Sequence, residues 1–305
     1  MNYRNLPDIE LLKIQIMKKI LITGCSSGFG FSSAKYLAEK GHHVYATMRN
    51  INGKNAAPAA ELKDFSNSKG VQLEVLEMDV TSDDSVKSAV DQIPVVDVLI
   101  NNAGLGFGGA IEAFSSAQCL EQLDLNIVGT LRVAKAVLPG MRSRNSGLII
   151  QISSIAGRGA FPGFGVYHAS KWGLEGLSEA MRYELAPLGI DVVIVEPGPF
   201  STNFFGNIVP ATNDDIASAY KHVGEFFEGF GKQVESMFED PNAPTDPMIV
   251  VKIFEDLINS PAGSRPLRTI SGLDFGFQAL NDAVEPLRKA SLESMGLEGC
   301  DGPAA

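Results

Sequence analysis

Short apolar runs rich in β-branched residues alternate with longer amphipathic segments from residue 18 to about residue 200. This alternation predicts repeated strand–helix–strand units, in which helices cover both faces of a parallel sheet. The predicted strands cover residues 19–23, 43–47, 72–78, 95–101, 148–153 and 191–196. The predicted helices cover residues 29–40, 82–92, 117–142 and 167–188. We therefore expect an α/β fold built on a doubly wound parallel sheet.

A glycine-rich turn, Thr23-Gly24-Cys25-Ser26-Ser27-Gly28-Phe29-Gly30, joins the first predicted strand to the first predicted helix. Glycines at such a turn let the backbone approach a pyrophosphate closely, and the helix N-terminus offers free N–H groups to the negative charge. Gly24, Gly28 and Gly30 can meet these demands, and the position is typical of a Rossmann-type dinucleotide site. The motif alone is also compatible with a purely structural turn.

The end of the second predicted strand, Ala46-Thr47-Met48-Arg49-Asn50, carries no acidic residue. In dinucleotide sites this position meets the adenosine ribose, where an acidic side chain binds a free 2′-hydroxyl and an arginine pairs with a 2′-phosphate. Arg49 therefore favours NADP(H) over NAD(H). The alternative is an ordinary solvated arginine.

A tyrosine and a lysine lie one helical turn apart in Tyr167-His168-Ala169-Ser170-Lys171, at the start of a predicted helix. This spacing places both side chains on one face of the helix. A phenol is a poor base at neutral pH, but a neighbouring ammonium favours its phenolate. Ser154 follows the strand predicted at 148–153, at the end where ligands bind in open α/β sheets. The three residues together predict a proton-transfer site.

Six segments occur in an order and spacing that resemble the short-chain dehydrogenase/reductase family, over about residues 18–202. They are the glycine turn, Asn101-Asn102-Ala103-Gly104, Asn126-x-x-Gly129, Ser154, Tyr167-x-x-x-Lys171 and Pro197-Gly198. Residues 44–49 and 137–142 look like the branch of steroid and retinol dehydrogenases and bacterial carbonyl reductases. The resemblance implies an oxidoreductase that transfers a hydride between nicotinamide and a carbonyl or alcohol carbon.

The resemblance also implies the catalytic residues. Tyr167 is the expected general acid/base, and Ser154 is expected to hydrogen-bond the substrate oxygen. Lys171 is expected to lower the pKa of the tyrosine. Asn126 is expected in a helix kink, where it holds a water connected to the lysine or only bends the helix. His168 is not needed by this mechanism and receives no role.

The resemblance places the cofactor among residues from most of these motifs. The expected contacts are Gly24, Ser26, Ser27, Gly28, Phe29, Gly30, Arg49, Asp79, Val80, Asn102, Ala103, Gly104, Tyr167, Lys171, Pro197, Gly198 and Thr202. For Asp79, contact with the adenine and capping of the turn before Thr81 are equally expected. No metal site is expected.

The segment of about 200–246 is expected to form a helical lid over the substrate. Its rings can line a pocket for a bulky hydrophobic carbonyl compound or alcohol, or they can only pack the lid onto the core. These rings are Phe204, Phe205, Tyr220, Phe226, Phe227, Phe230 and Phe238. A C-terminal helix and a last strand are expected within about 248–290, at 248–259 and 267–271. We expect one domain over residues 17–305, preceded by an appendage of residues 1–16.

A formal charge of −11 disfavours nucleic acids and anionic membranes, so a small-molecule substrate is expected. The three cysteines lack metal-type spacing, which favours a reducing, cytoplasmic compartment. No apolar run reaches the ~20 residues that span a bilayer. The resemblance also implies that the protein forms a homodimer or a homotetramer.

Two other classes of protein compete with this interpretation. A non-catalytic dinucleotide-binding sensor or scaffold would keep the glycine turn without the proton-transfer residues. The set of Asn126, Ser154, Tyr167 and Lys171 is complete, which favours an enzyme. An epimerase or dehydratase on an extended version of the fold is less expected, because few residues follow residue 200.

Overall fold

A parallel sheet of seven strands lies at the centre of the computed structural model, which describes residues 16–304. Strands β5 and β8 form a separate parallel pair. In chain order the strands are β1 (Lys19–Ile22), β2 (His43–Met48), β3 (Leu73–Glu77), β4 (Val98–Asn101), β5 (Phe107–Gly108), β6 (Gly147–Ile152), β7 (Ile190–Pro197), β8 (Val209–Pro210) and β9 (Arg268–Ser271).

The order of strands across the large sheet is β3-β2-β1-β4-β6-β7-β9. The direction of winding therefore reverses between β1 and β4, which is where an open α/β sheet binds its ligands. The predicted doubly wound parallel fold is confirmed. All six early strands form, the largest shift being the start of β4 at Val98 rather than at residue 95.

The two faces of the sheet are covered because side chains alternate along its strands. Ile20 and Ile22 pack on the face that α1, α2 and α9 cover, whereas Leu21 packs on the face of α3, α5 and α6. In chain order the helices are α1 (Gly28–Glu39), α2 (Ala56–Lys69), α3 (Asp83–Val90), α4 (Ser116–Leu123), α5 (Gly129–Arg144), α6 (Gly165–Leu185), α7 (Asp214–Ala219), α8 (Lys221–Glu239), α9 (Met248–Asn259) and α10 (Phe277–Ser294).

Several helices differ from the sequence prediction. The helix predicted over 117–142 is two helices, α4 and α5, joined by a π-helical turn at Asp124–Val128. The helical pattern over 214–238, within the predicted lid, is likewise divided into two helices, α7 and α8, at Tyr220. Helix α2 was not predicted, because it buries only Ala59 and Leu62 and its apolar periodicity is weak. The one helix expected within 248–290 is followed by a second, α10.

The predicted lid begins beside the sheet and runs over the carboxyl ends of its strands. Its first part is tied down by the pairing of β8 with β5, in which Val209 lies opposite Phe107. Helix α8 buries only Val234. The predicted appendage lies outside the described residues except for Ile16, and the division into appendage and single domain stays a prediction.

Candidate active site

A cleft of about 690 Å³ opens at the carboxyl ends of the strands, beside the reversal between β1 and β4. This volume is in the usual range for small-molecule sites. Two predicted site residues, Gly30 and Asn126, do not line it. The predicted residues that do are Gly24, Ser26, Ser27, Gly28, Phe29, Arg49, Asp79, Val80, Asn102, Ala103, Gly104, Ser154, Tyr167, Lys171, Pro197, Gly198 and Thr202.

The glycine turn is held by close backbone contacts. Gly24 has a φ of +73°, and a Cβ on it would lie 2.8 Å from Cα of Ala103. A Cβ on Gly30 would lie 2.5 Å from the carbonyl oxygen of Gly24, so Gly30 supports the turn from behind. The Asn102 amide Nδ2 donates to the carbonyls of Thr23 and Gly24 at 2.9 and 3.1 Å.

Helix α1 begins in this turn with its first N–H groups unused by a cap. The side chain of Ser27, which precedes the helix, makes no capping hydrogen bond, and the first turn contains no acidic residue. Gly28 and Phe29 line the cleft at this helix end. Free N–H groups on a backbone without obstructing Cβ atoms fit the pyrophosphate of a nicotinamide dinucleotide.

Two cations lie where the adenosine end of such a cofactor would bind. Arg49 lines the cleft and is exposed, and its carbonyl accepts from Nδ2 of Asn55 at 2.6 Å. Lys54, also exposed, lines the same region and was not predicted. It follows β2 by several residues, so only the turn between β2 and α2 brings it to the cleft.

Asp79 holds a turn and faces the cleft. Its Oδ1 accepts from the backbone N–H and the hydroxyl of Thr81 at 2.9 and 2.7 Å, so the capping role is present. Burial alone would raise the pKa of Asp79, but hydrogen bonds from Thr81 and the charges of Arg49 and Arg132 outweigh it and lower the pKa. The carboxylate also lines the cleft, and the predicted adenine contact stays a prediction.

Ser154 and Tyr167 meet deep in the cleft. Burial raises the pKa of Tyr167 to about 12, and a hydrogen bond with Ser154 partly opposes this rise. The Ser154 hydroxyl lies 3.3 Å from the carbonyl of Pro197 and accepts from the N–H of Ala156 at 3.1 Å. Ser153, by contrast, is buried with its hydroxyl unpaired against Gly157.

Lys171 lies beside the tyrosine, with Nζ 5.8 Å from the centre of the ring. Its Nζ donates to the carbonyl of Ile152 at 2.8 Å. Burial lowers the pKa of Lys171 to about 8, and the negative charge of Glu175 partly opposes this. Burial of the phenol dominates its pKa in the protein alone, and the expectation that Lys171 lowers the tyrosine pKa stays a prediction.

Asn126 lies in the π-helical turn between α4 and α5, which confirms the expected kink. Its Oδ1 accepts from the N–H of Leu105 at 3.2 Å, and its Nδ2 donates to the hydroxyl of Ser170 at 2.9 Å. A Cβ on Gly104 would lie 3.3 Å from this Oδ1 and 3.8 Å from Nζ of Lys171. Asn126 Oδ1 and Lys171 Nζ thus both lie within 4 Å of the same point.

A buried ionic network lies behind the lysine and was not predicted. Glu175 follows Lys171 by one helical turn and pairs with Nε of Arg268 at 2.8 Å. Arg268 also lies 3.5 Å from Glu196 on β7. Burial and, next, the negative charge of Glu175 raise the pKa of Glu196 well above its usual range. The i, i+4 spacing of Lys171 and Glu175 was the available signal.

Five rings form the opposite end of the cleft, which we call the aromatic end: Phe161, Phe164, Phe204, Phe205 and Phe230. Phe164 also stacks on Phe227 of α8 with ring centroids 4.8 Å apart. Ser154 and Tyr167 lie between this end and what we call the nucleotide end, which is formed by the glycine turn, Arg49 and Lys54.

The lid rings divide between the two expected roles. Phe204, Phe205 and Phe230 line the cleft, whereas Phe227 packs behind Phe164. Tyr220 bonds to Glu112 outside the cleft. Phe161 and Phe164 precede Tyr167 in the chain and were not predicted, because nothing in their spacing distinguishes them from core residues.

Residues 16–304 contain neither a candidate membrane span nor a candidate metal cluster. No helix in this range is long and apolar enough to cross a membrane. No group of three or more His, Cys, Asp or Glu side chains in the same range could hold a metal ion.

Comparison with known sequences gives a consistent result. The profile of the family described as short chain dehydrogenase matches residues 18–213. A 3-ketodihydrosphingosine reductase of Bacteroides thetaiotaomicron is 41% identical over 209 residues, which are 66% of this chain and 72% of that protein. Retinol dehydrogenase 8 of Homo sapiens is 41% identical over 196 residues, 63% of this chain and 62% of that protein.

Solved structures share the fold. A short-chain dehydrogenase from Streptomyces avermitilis has a TM-score of 0.72 and 30% identity, with 93% of this chain and 98% of that chain covered. The closed form of a serine dehydrogenase complexed with NADP+ has a TM-score of 0.68 and 26% identity, with 84% of this chain and 94% of that chain covered.

Proposed function

This chain belongs to the short-chain dehydrogenase family, and we propose that it is an NADP(H)-dependent oxidoreductase with Tyr167 as general acid/base. Like its named relatives, it acts on alcohol or carbonyl groups. The observation that carries the proposal is the meeting of Ser154, Tyr167 and Lys171 between a nucleotide end and an aromatic end of one cleft.

The nicotinamide, when bound, supplies or accepts the hydride at the substrate carbon. In reduction, Tyr167 donates its phenolic proton to the substrate oxygen while Ser154 donates a hydrogen bond to the same atom. Lys171 then stabilises the phenolate until a proton returns. Asn126, which faces the same point as Lys171, is placed to hold a water on that return path.

The buried phenol is in the protonation state that reduction uses. Burial raises the pKa of Tyr167 to about 12, so the phenol of the protein alone is protonated across the neutral range. Oxidation needs the phenolate first, and burial of the phenol opposes that form. The catalyst does not set the direction of a reversible reaction, and carbonyl reduction stays part of the proposal.

NADP(H) is favoured because Arg49 and Lys54 place two positive charges at the nucleotide end. An arginine can pair bidentately with a 2′-phosphate, and a lysine adds a second donor. The similar serine dehydrogenase was solved with NADP+, which agrees with this preference.

A bulky hydrophobic substrate suits the aromatic end. Its five rings offer a large apolar surface. The relative named as a retinol dehydrogenase agrees with an apolar substrate. The joint presence of Ser154, Tyr167 and Lys171 in one cleft supports an enzyme over the alternative of a non-catalytic scaffold.

A homodimer or homotetramer formed through α4, α5 and α6 also remains part of the proposal. Leu120, Val128 and Trp172 are exposed to 66%, 43% and 51% on or between these helices. A cytoplasmic location stays a prediction.

Removal of one hydroxyl tests the proposed chemistry. We expect Tyr167→Phe to lower kcat for reduction of apolar ketones with NADPH by a factor of about 10²–10⁴, because the proton donor is lost. Tyr183→Phe is the matched control on the same helix, since the Tyr183 hydroxyl bonds to Glu179 and Arg288 away from the cleft. Undiminished turnover by folded Tyr167→Phe would refute the assignment.

A further inference from the structure

His168 directly follows the proposed acid/base on α6, and its buried ring is 3% exposed. Both ring nitrogens contact the backbone of the segment between Ser154 and Tyr167. Nδ1 lies 2.9 Å from the carbonyl oxygen of Ala156, and Nε2 lies 3.1 Å from the nitrogen of Phe161. The imidazole therefore bridges two points of this segment, five residues apart in the chain.

The two partners fix the proton on the ring. A carbonyl oxygen can only accept, so Nδ1 must carry the proton and donate to Ala156. A backbone N–H can only donate, so Nε2 must be unprotonated and accept from Phe161. The bridge thus requires the neutral Nδ1–H tautomer, and no other state of the ring makes both bonds.

Each hydrogen-bond partner of His168 is connected to a side chain that lines the cleft. The N–H of Ala156 donates to the hydroxyl of Ser154, so the residue that His168 holds by its carbonyl also orients the serine through its own N–H. Phe161 is a wall of the aromatic end, and its ring meets the imidazole edge-on with centroids 4.4 Å apart.

We propose that His168 is a positioning residue with two separable effects, Nδ1 setting the Ser154 hydroxyl through Ala156 and Nε2 setting the Phe161 wall. The proposal rests on the proposed function, because it assigns the two effects to turnover and to substrate binding. It explains why a buried polar ring follows the tyrosine directly: the same helix start carries the proton donor and fixes the groups on either side of the substrate.

Two substitutions separate the effects of the two hydrogen bonds, because each keeps one bond and removes the other. The amide nitrogen of His168→Asn occupies the place of Nδ1, whereas the amide oxygen of His168→Gln reaches the place of Nε2. We expect His168→Asn to raise KM for a bulky apolar ketone roughly tenfold with kcat within about twofold, and His168→Gln to lower kcat roughly tenfold with a smaller change in KM.

His168→Phe removes both bonds, and both parameters are expected to change. His43→Phe is the matched control, because His43 begins β2, which lies next to the edge strand β3 and far from α6 and β7 across the sheet. The Kd for NADPH should be unchanged in all four variants. Equal effects of His168→Asn and His168→Gln, or wild-type kinetics in His168→Phe, would overturn the proposal.

A measurement of the tautomer in the unmodified protein keeps the test independent of activity. The chain has four histidines, and ¹⁵N spectra of histidine-labelled protein report the tautomer of each ring. We expect one ring to be in the Nδ1–H form and to resist protonation below pH ~6.5, the ordinary histidine pKa. The signal of the His168 ring is assigned by its absence in His168→Phe. An Nε2–H tautomer or an ordinary titration of this ring would overturn the proposal.

The expected direction follows from the surroundings of the ring. Burial lowers the pKa of His168, and the backbone bonds to Ala156 and Phe161 only partly oppose this. The rings that contact it are Phe161, Phe164 and Tyr167, so the Tyr167 phenol is the one titratable group among its ring contacts in the described residues. Failure of ketone reduction with the predicted tautomer intact would refute the proposed function and leave the bridge standing.

Discussion

The glycine turn and the lid helix α8 both contain several glycines, but their surroundings differ. A Cβ on Gly24 or Gly30 would lie within 2.8 Å of backbone atoms of the turn or of Ala103. A Cβ on Gly224, Gly229 or Gly231 of α8 would have no heavy atom within 4 Å. In the turn, only glycine fits, because there is no room for a Cβ atom. In the lid, a Cβ atom would fit at these positions, and glycine there weakens the helix.

Burial shows the same contrast. Every residue of β7, which leads to the site, is buried, whereas α8 buries only Val234 in 19 residues. The nucleotide end is therefore held by a framework that tolerates little change. The aromatic end is closed by a loosely packed helix whose rings can adjust to a substrate. Cofactor binding and substrate selection are thus assigned to regions of different rigidity.

The largest effect is expected where the framework is tightest. Gly30→Ala forces a methyl group against the carbonyl of Gly24, and overpacking of this kind costs about 1–3 kcal/mol of stability. We also expect the affinity for NADPH to fall at least about tenfold, the value of one hydrogen bond to a charged group. Thermal unfolding and NADPH titration measure the two effects.

Gly176→Ala is the control for that substitution, since a Cβ on this helical glycine of α6 meets nothing within 4 Å. It should leave NADPH binding unchanged. If Gly30→Ala bound NADPH as tightly as the wild type, the turn would be less rigid than the contrast with the lid requires.

An intermediate effect is expected at the adenosine side of the nucleotide end. Arg49→Glu replaces a phosphate partner with a repelling carboxylate, so we expect the Kd for NADPH to rise by about tenfold to a hundredfold while that for NADH falls or stays the same. Arg142→Glu makes the same charge change at the exposed end of α5. Parallel titrations with both cofactors decide the matter, and equal weakening of NADPH by both variants would exclude a specific role for Arg49.

The smallest effect is expected in the lid. Gly229→Ala should stabilise α8 by about 0.5–1 kcal/mol, because alanine loses less conformational freedom in a helix and the space is open. NADPH affinity should not change. Chemical denaturation followed by NADPH titration measures both, and a loss of stability would show that α8 is packed as tightly as the framework.

The fold and the catalytic residues were readable because they are local patterns. Strand and helix periodicities, the glycine turn and the Tyr167/Lys171 spacing each depend on neighbours within one or two turns of chain. The resemblance added Ser154 and Asn126, whose roles stay predictions. The order of the strands across the sheet was not predicted.

The missed features depend on contacts between distant segments. Lys54 reaches the cleft through the shape of a turn, and Phe161 and Phe164 enter it through the loop that His168 holds. The burial that raises the pKa of Tyr167 was also not predicted, because the sequence shows the neighbouring lysine but not how deeply the phenol lies. The spacing of apolar residues along the chain does not predict contacts between segments that are far apart in sequence.

The π-helical turn at Asp124–Val128 has a consequence for how this chain can change over evolution. An extra residue in a helix rotates everything beyond it by about 100°. Deleting one residue there would restore a straight helix, yet it would turn the amide of Asn126 away from Lys171 or carry α5 out of register with the sheet. Point substitutions at exposed positions of α4 and α5 can accumulate, whereas changes in length at this joint should be purged, so alignment gaps among functional descendants should avoid it.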